Sequence, residues 1–222
     1  LTEGKNHLLI FGAERELSPF RHNPQLLVDQ ARQAGGLTFI AHPIDDPLPK
    51  FGERSYSWQE WGINNFTGIE LWNQMSEFKT RSSTLPKAIL HAFFPKLMSQ
   101  GPLERTLALW DNLLSKGKPV VAIGGVDAHQ LTYNFGPLKI TLYPYEFQFR
   151  SLTTHLLLPK PLTGNLFEDK HVIYQALQFG HAFVAYDLPH PTDGFRFTVD
   201  NRQGEFIMGD QVSALGGLTF QV

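Results

Sequence analysis

The sequence predicts an α/β protein followed by a small antiparallel β module, and three observations carry that expectation. Apolar, β-branched runs of strand length recur at His7–Phe11, Leu37–Ala41, Thr67–Leu71 and Val120–Gly124. Between several of them lie segments of helical periodicity, each closed by glycine, which is the alternation of a parallel sheet with crossover helices. From Gly194 the grammar changes to alternation, with Phe195, Phe197 and Val199 separated by polar residues and followed by glycine-containing turns.

Taken in order, Leu1–Lys5 reads as a polar turn and His7–Phe11 as a buried strand. Asn23-Pro24 supplies a helix N-cap and a first-turn proline. Leu27, Val28, Ala31 and Ala34 share one helical face, and Gly35-Gly36 ends the helix. Strand, helix and strand through Ala41 then predict a parallel βαβ unit. Asp45–Trp61 is a long loop rich in proline, acids and aromatics, placed after a strand end where substrate contacts are common, with Trp58 and Trp61 as pocket or core residues. Thr67–Leu71 is the next strand, and Gln74–Leu97 is partly helical. Pro102–Lys116 is a helix with Leu103, Leu107, Trp110 and Leu114 as its apolar stripe. Val120, Val121 and Ile123 then form a buried strand between Pro119 and Gly124-Gly125. Further on, Lys139–Tyr143 alternates like a strand, Phe149–Leu158 and Pro159–Leu166 read as loop-like or as short elements, Glu168–Phe179 as a helix, and Ala182–Tyr186 as a strand. A boundary falls at Pro189–Asp193, dividing the chain into 1–189 and 190–222.

Composition narrows the function. The 222 residues are 42% hydrophobic and 13% aromatic, enough for a sizeable core, and disorder is not expected over most of the chain. A net charge of −2 without a basic block leaves no electrostatic footprint for nucleic acid or for an anionic membrane. No apolar run is long enough to span a bilayer. The absence of cysteine excludes disulfides, thiolate zinc sites and cysteine nucleophiles.

Three strands have candidate ligands at their ends: His7 before the first, His42 just after the second, and Asp127 with His129 just after VVAIGG. Asp and His two apart in an extended segment point to one side, so a carboxylate and an imidazole can converge on one cation. The preceding glycines let the backbone turn and approach a ligand closely. Strand ends of an α/β barrel meet on one face. His7 precedes its strand, so it joins the others only if that strand runs antiparallel or if His7 reaches over from a rim turn. Three imidazoles and a carboxylate suit Zn, Mn or Fe rather than Ca. Glu70 ends a buried strand and needs a partner there, which favours a supporting role over ligation. Asn73 is equally placed to touch substrate or to serve structure. Lys79 and Arg81 could bind a substrate anion, with a solvated face as the favoured reading. The remaining histidines, His155 among them, lack a partner motif.

The segments NHLLIFGA, GGLTFIAHP, TGIELWN and AIGGVDAHQ, in that order, resemble successive motifs of the PHP (polymerase and histidinol phosphatase) superfamily. The resemblance covers about the first two thirds of the chain. It implies a distorted (β/α)7 barrel and a metal-dependent phosphoesterase that uses a hydroxide bridging two or three divalent ions. It also implies His7, His42, Asp127 and His129 as metal ligands, the last two as the residues nearest the chemistry. SEFKTR, LWDNLLSKGKPVVAIGG and GHAFVAYD are similar to the carbaryl-hydrolase-type branch, which adds a carbamate or carboxylic ester as alternative substrate.

The family's opening His-x-His, a following Asp or His, and a Glu before His7 have no counterpart, and Glu3 reads as a surface residue. Together with the start at Leu1 and the unfinished strand Leu218–Val222, this predicts a piece of a longer protein holding part of the barrel and part of the metal cluster. A small-molecule ester is the expected partner. The reading from a different class is a PHP-like module with an incomplete metal site, used for protein contacts.

Overall fold

A computed structural model describes residues 5–49 and 52–222. The expectation for Glu3, and part of those for Leu1–Lys5 and the loop after His42, lie outside these residues. The centre is a four-stranded mixed sheet in the order β1-β2-β3-β4: β1 (Leu8–Phe11), β2 (Leu37–Ile40), β3 (Gly68–Asn73) and β4 (Val121–Gly125). β2, β3 and β4 are parallel, whereas β1 runs antiparallel to β2, with Leu8 opposite Ile40 and Phe11 opposite Leu37. The first strand–helix–strand step is therefore not a parallel βαβ unit. The connection Gly12–Asn23 carries the chain back before α1 (Pro24–Gln33) begins, and that helix starts as its residues demand, with the Asn23 side chain accepting from Leu26 N at 3.0 Å.

Helices cover both faces of the sheet. On one face, Leu27, Val28 and Ala31 of α1 pack with Ile40, Ile69, Leu71 and Val120, joined by Leu113 of α4 (Glu104–Ser115). On the other, Leu9, Phe11, Leu37, Phe39, Val121 and Ile123 meet Tyr174 and Leu177 of α6 (Leu166–Phe179). Burial on both sides explains why β2 is an unbroken apolar run rather than an alternating one.

α4 turns slightly from the expected orientation. Thr106 and Leu113 are buried, with Leu109 and Trp110 packed beside them, while Leu107 and Leu114 face solvent. A leucine-rich helix offers two overlapping stripes that share Trp110. The indole N–H donating to Val120 O at 2.8 Å fixes which stripe faces inward.

Between β3 and α4 lie α2 (Gln74–Arg81) and α3 (Leu85–Phe93). After β4 come the hairpin β5 (Leu131–Phe135) and β6 (Leu138–Leu142), then the short helix α5 (Tyr145–Phe149). β7 (Leu152–Leu156) pairs antiparallel with β8 (Ala182–Tyr186), so of the two alternatives for Phe149–Leu158 the structure shows a short element, a strand. Thr154 Oγ1, which accepts from Gly124 N at 2.9 Å, ties that ribbon to β4. β9 (Thr198–Asn201), β10 (Gly204–Ile207) and β11 (Thr219–Gln221) form a three-stranded antiparallel sheet, as the alternation predicts. Among the described residues the central sheet does not close into a barrel. The fold is mixed α/β with small antiparallel sheets.

Gly68 is required by packing. A Cβ there would overlap the Val121 carbonyl oxygen and stand 2.7 Å from the Phe39 ring. Gly68→Ala is expected to destabilise by more than about 2 kcal/mol in urea unfolding. Gly62→Ala, whose Cβ would meet nothing within 4 Å among the described residues, should stay within about 0.5 kcal/mol of the parent.

Candidate functional site

The antiparallel course of β1 brings His7 beside the end of β2. Ala41 N donates to His7 O at 3.0 Å, and His7 Nδ1 faces His42 Nε2 at 3.0 Å. The two rings meet edge-on, and Tyr56 stacks on His7 at 5.5 Å. His42 is buried, and its Nδ1 has no hydrogen-bond partner among the described residues. Burial, and then the His42 ring, hold the His7 imidazole below its ordinary range, while Asp127 and Asp45 pull the other way. Low basicity keeps an imidazole neutral, the form that ligates metals.

Glu70, at 4% exposure, sits beneath this pair. Its Oε2 accepts from His42 N at 2.6 Å and from Asn73 Nδ2 at 2.8 Å. Gly125 exists here for space, since a Cβ would overlap Glu70 Oε1. Burial raises the Glu70 carboxyl from 4.5 to about 7 against the pull of its two hydrogen bonds, with the Asp127 charge adding to the rise. Glu70 thus holds the backbone of His42. Asn73 is spent on structure at both ends of its amide: it donates to Glu70 and caps α2 by accepting from Ser76 N at 2.7 Å.

Asp127 follows β4 but is not extended. Its φ is +48°, and His42 has +28°. Left-handed backbone at two non-glycine residues is strain of the kind that gathers at functional sites. The same turn redirects His129. Its Nδ1 lies 2.7 Å from the Asp127 carbonyl oxygen and 3.7 Å from Asp127 Oδ1, and its side chain is 64% exposed. The expectation that Asp127 and His129 project together from an extended segment is therefore corrected: the bend folds the imidazole back on its own segment. The buried Gln148 holds that bend by accepting from His129 N at 3.0 Å.

Lys79 and Arg81 do not form a solvated face. Lys79 is buried, with Nζ 2.7 Å from Asp45 Oδ2 and 2.6 Å from Arg54 O, and it lies over the Tyr56 ring at 5.3 Å. Arg81 Nε pairs with the buried Glu77 at 2.7 Å. Asp45 is the residue the sequence reading missed. It also accepts from Tyr56 N at 2.8 Å and from Ser76 Oγ at 2.9 Å, pinning the loop after His42 to α2. A second omission is His155, whose Nε2 lies 2.8 Å from Asp187 Oδ2 on the β7–β8 ribbon. Three hydroxyl and amide donors around Asp187, with His155, outweigh burial and hold its carboxyl down at about 2.

His7, His42 and Glu70 are thus brought together, with Asp127 within electrostatic reach and the exposed His129 folded against the Asp127 backbone. Among the described residues no three His, Asp or Glu side chains stand as placed in a group that could hold a metal ion. The residues fit a cation as a partial set. Metal–nitrogen bonds of 2.0–2.1 Å at the tetrahedral angle put two ligand atoms about 3.3 Å apart, close to the observed imidazole spacing. A small recess lined by His42, Glu70, Asn73 and Ser76 adjoins the pair. A larger groove of about 1560 Å³ opens chiefly at the other end of the sheet, lined by Leu37, Thr38, Thr67 and Val121. No protein-family model and no curated protein matches the chain.

Two outcomes test this arrangement. Glu70 holds its proton more tightly folded than unfolded, so the stability from its neutral form is complete below about pH 4.5 and lost as pH rises through about 7. The unfolding free energy of the metal-free chain, from denaturant titrations, should fall across that window by on the order of 3 kcal/mol. Glu70→Gln, which keeps an amide oxygen as acceptor, should flatten the profile. Lys79→Met leaves the Asp45 carboxylate buried without its countercharge and is expected to cost about 3–5 kcal/mol, partly recovered in the double variant with Asp45→Asn.

Proposed function

We propose that this chain carries part of the divalent-metal site of a PHP-type hydrolase acting on a small-molecule phosphoester. Its four-stranded sheet would be a section of a distorted (β/α)7 barrel. The observation that carries the reading is the His7–His42 pair, two imidazoles from separate strand ends 3.0 Å apart with the Asp127 charge beside them. Zn, Mn or Fe suits such donors. When bound, a divalent cation supplies Lewis acidity and a hydroxide at neutral pH.

The chain's own residues do the positioning. Glu70 fixes the His42 backbone, and Asn73 fixes Glu70. Gln148 sets the bend that carries Asp127 and His129. In this reading Asp127, in left-handed backbone beyond β4, would join the imidazoles as an acidic ligand and orient a water for attack on phosphorus, which its charge beside His7 supports. A carbamate or carboxylic ester is the alternative substrate for the same site.

The orientation of His129 favours a second reading, a PHP-like module that lacks a complete site and serves protein contacts. Calorimetric titration with Zn and Mn separates the two readings, combined with turnover of aryl phosphate, carbamate and carboxylate esters. The hydrolase reading expects saturable metal binding that His42→Ala and Asp127→Ala each weaken by more than about 100-fold. It expects Asn73→Ala to lie in the roughly 10- to 100-fold range of residues that support a ligand. Metal binding unchanged by His42→Ala would overturn it.

A further inference from the structure

Helix α3 is inside out. Its buried side consists of Ala88 and His91, and the His91 Nδ1 meets Ser82 Oγ at 3.0 Å. Its large apolar residues face solvent: Leu85, Ile89, Leu90 and Phe93, continued past the helix by Phe94 and Leu97, are between 45% and 59% exposed. At about 100° per residue the outward apolar positions on α3 sweep an arc of roughly 140°. Lys87 and Lys96 stand exposed at its edge. No acidic residue occurs between Glu77 and Glu104.

We propose that α3 and the Phe94–Leu97 turn form a docking surface for an anionic lipid bilayer, on which the helix lies flat. Breadth and charge together select this occupant. A helix that binds a protein groove presents a narrow stripe of anchors, whereas an interfacial helix presents a broad apolar face bordered by lysine and carrying aromatic side chains. A contact between two copies about a two-fold axis would return the same lysines to the same segment, which carries no acidic residue from position 78 to 103 to receive them. The net charge of −2 does not oppose this, because a membrane's surface potential acts over about a Debye length and so reads the local charge. The attachment is peripheral, since no helix among the described residues is long and apolar enough to cross a membrane. It is independent of the hydrolase reading.

The test is co-sedimentation of the full chain with phosphatidylcholine vesicles, with and without phosphatidylglycerol. Binding is expected to the anionic vesicles and to weaken as salt is raised. The Phe93→Ser/Phe94→Ser and Lys87→Glu/Lys96→Glu variants should each lower the partition coefficient by about 10-fold or more. The phenylalanines are more than half exposed and both lysines are exposed, so circular dichroism should not change and the melting midpoint should shift little. Three results would overturn the proposal: no partitioning by the parent chain, partitioning that both variants retain, or a dimer in size-exclusion chromatography that Phe93→Ser/Phe94→Ser dissolves while vesicle binding is absent.

Discussion

A single buried carboxyl group couples three of the four central strand ends. Glu70, at the end of β3, receives the backbone N–H after β2, receives the Asn73 amide that also starts α2, and occupies the space left by Gly125 at the end of β4. Burying a carboxylate without compensation is costly, and here both hydrogen bonds end on one oxygen in a site tight enough that even a methyl group on β4 would not fit. The group therefore acts as a spacer and a clamp. It sets how closely β2 and β4 approach and holds His42 in a backbone conformation that would otherwise relax.

Around that clamp the polar groups form two tiers. In the upper tier, His7 and His42 face each other because the antiparallel β1 places its first residue against the last of β2. In the tier beside it, Asp45 and Lys79 join the loop after β2 to α2, with Tyr56 between Lys79 and His7. A buried ion pair contributes little net stability compared with an apolar pair, but it tolerates little displacement. It fixes the loop that shapes one wall of the site. The inverted helix α3 is the contrasting case. Its buried side offers small and polar groups to the body of the protein and leaves its apolar energy available to something else.

Much of the architecture was legible in the sequence. The β2 run LTFI, the Asn23-Pro24 helix start and the Gly180 helix end mark elements through local chemistry alone, and His42 and Asp127 lie at strand ends because the apolar runs stop there. The same local chemistry could not say that β1 runs antiparallel, because HLLIF followed by a helix and LTFIA is compatible with either direction. It could not choose between the two leucine stripes of α4, which differ by one residue and are resolved by a single indole hydrogen bond. Nor could it find β7, whose alternating Thr153, Thr154 and His155 look polar until Thr154 meets Gly124 and His155 meets Asp187.

The sequence by itself determined which residues could carry chemistry, since strand ends, glycines and the absence of cysteine depend on neighbours a few positions away. Only the tertiary structure decided their roles. Lys79 became a buried counter-ion because Asp45, 34 residues earlier, is delivered to it by the loop after β2. Asn73 became a brace, and His129 folds back on the Asp127 carbonyl because Asp127 bends in left-handed backbone under the hold of Gln148. Which polar groups meet is set by strand direction and packing, and those depend on the whole chain at once.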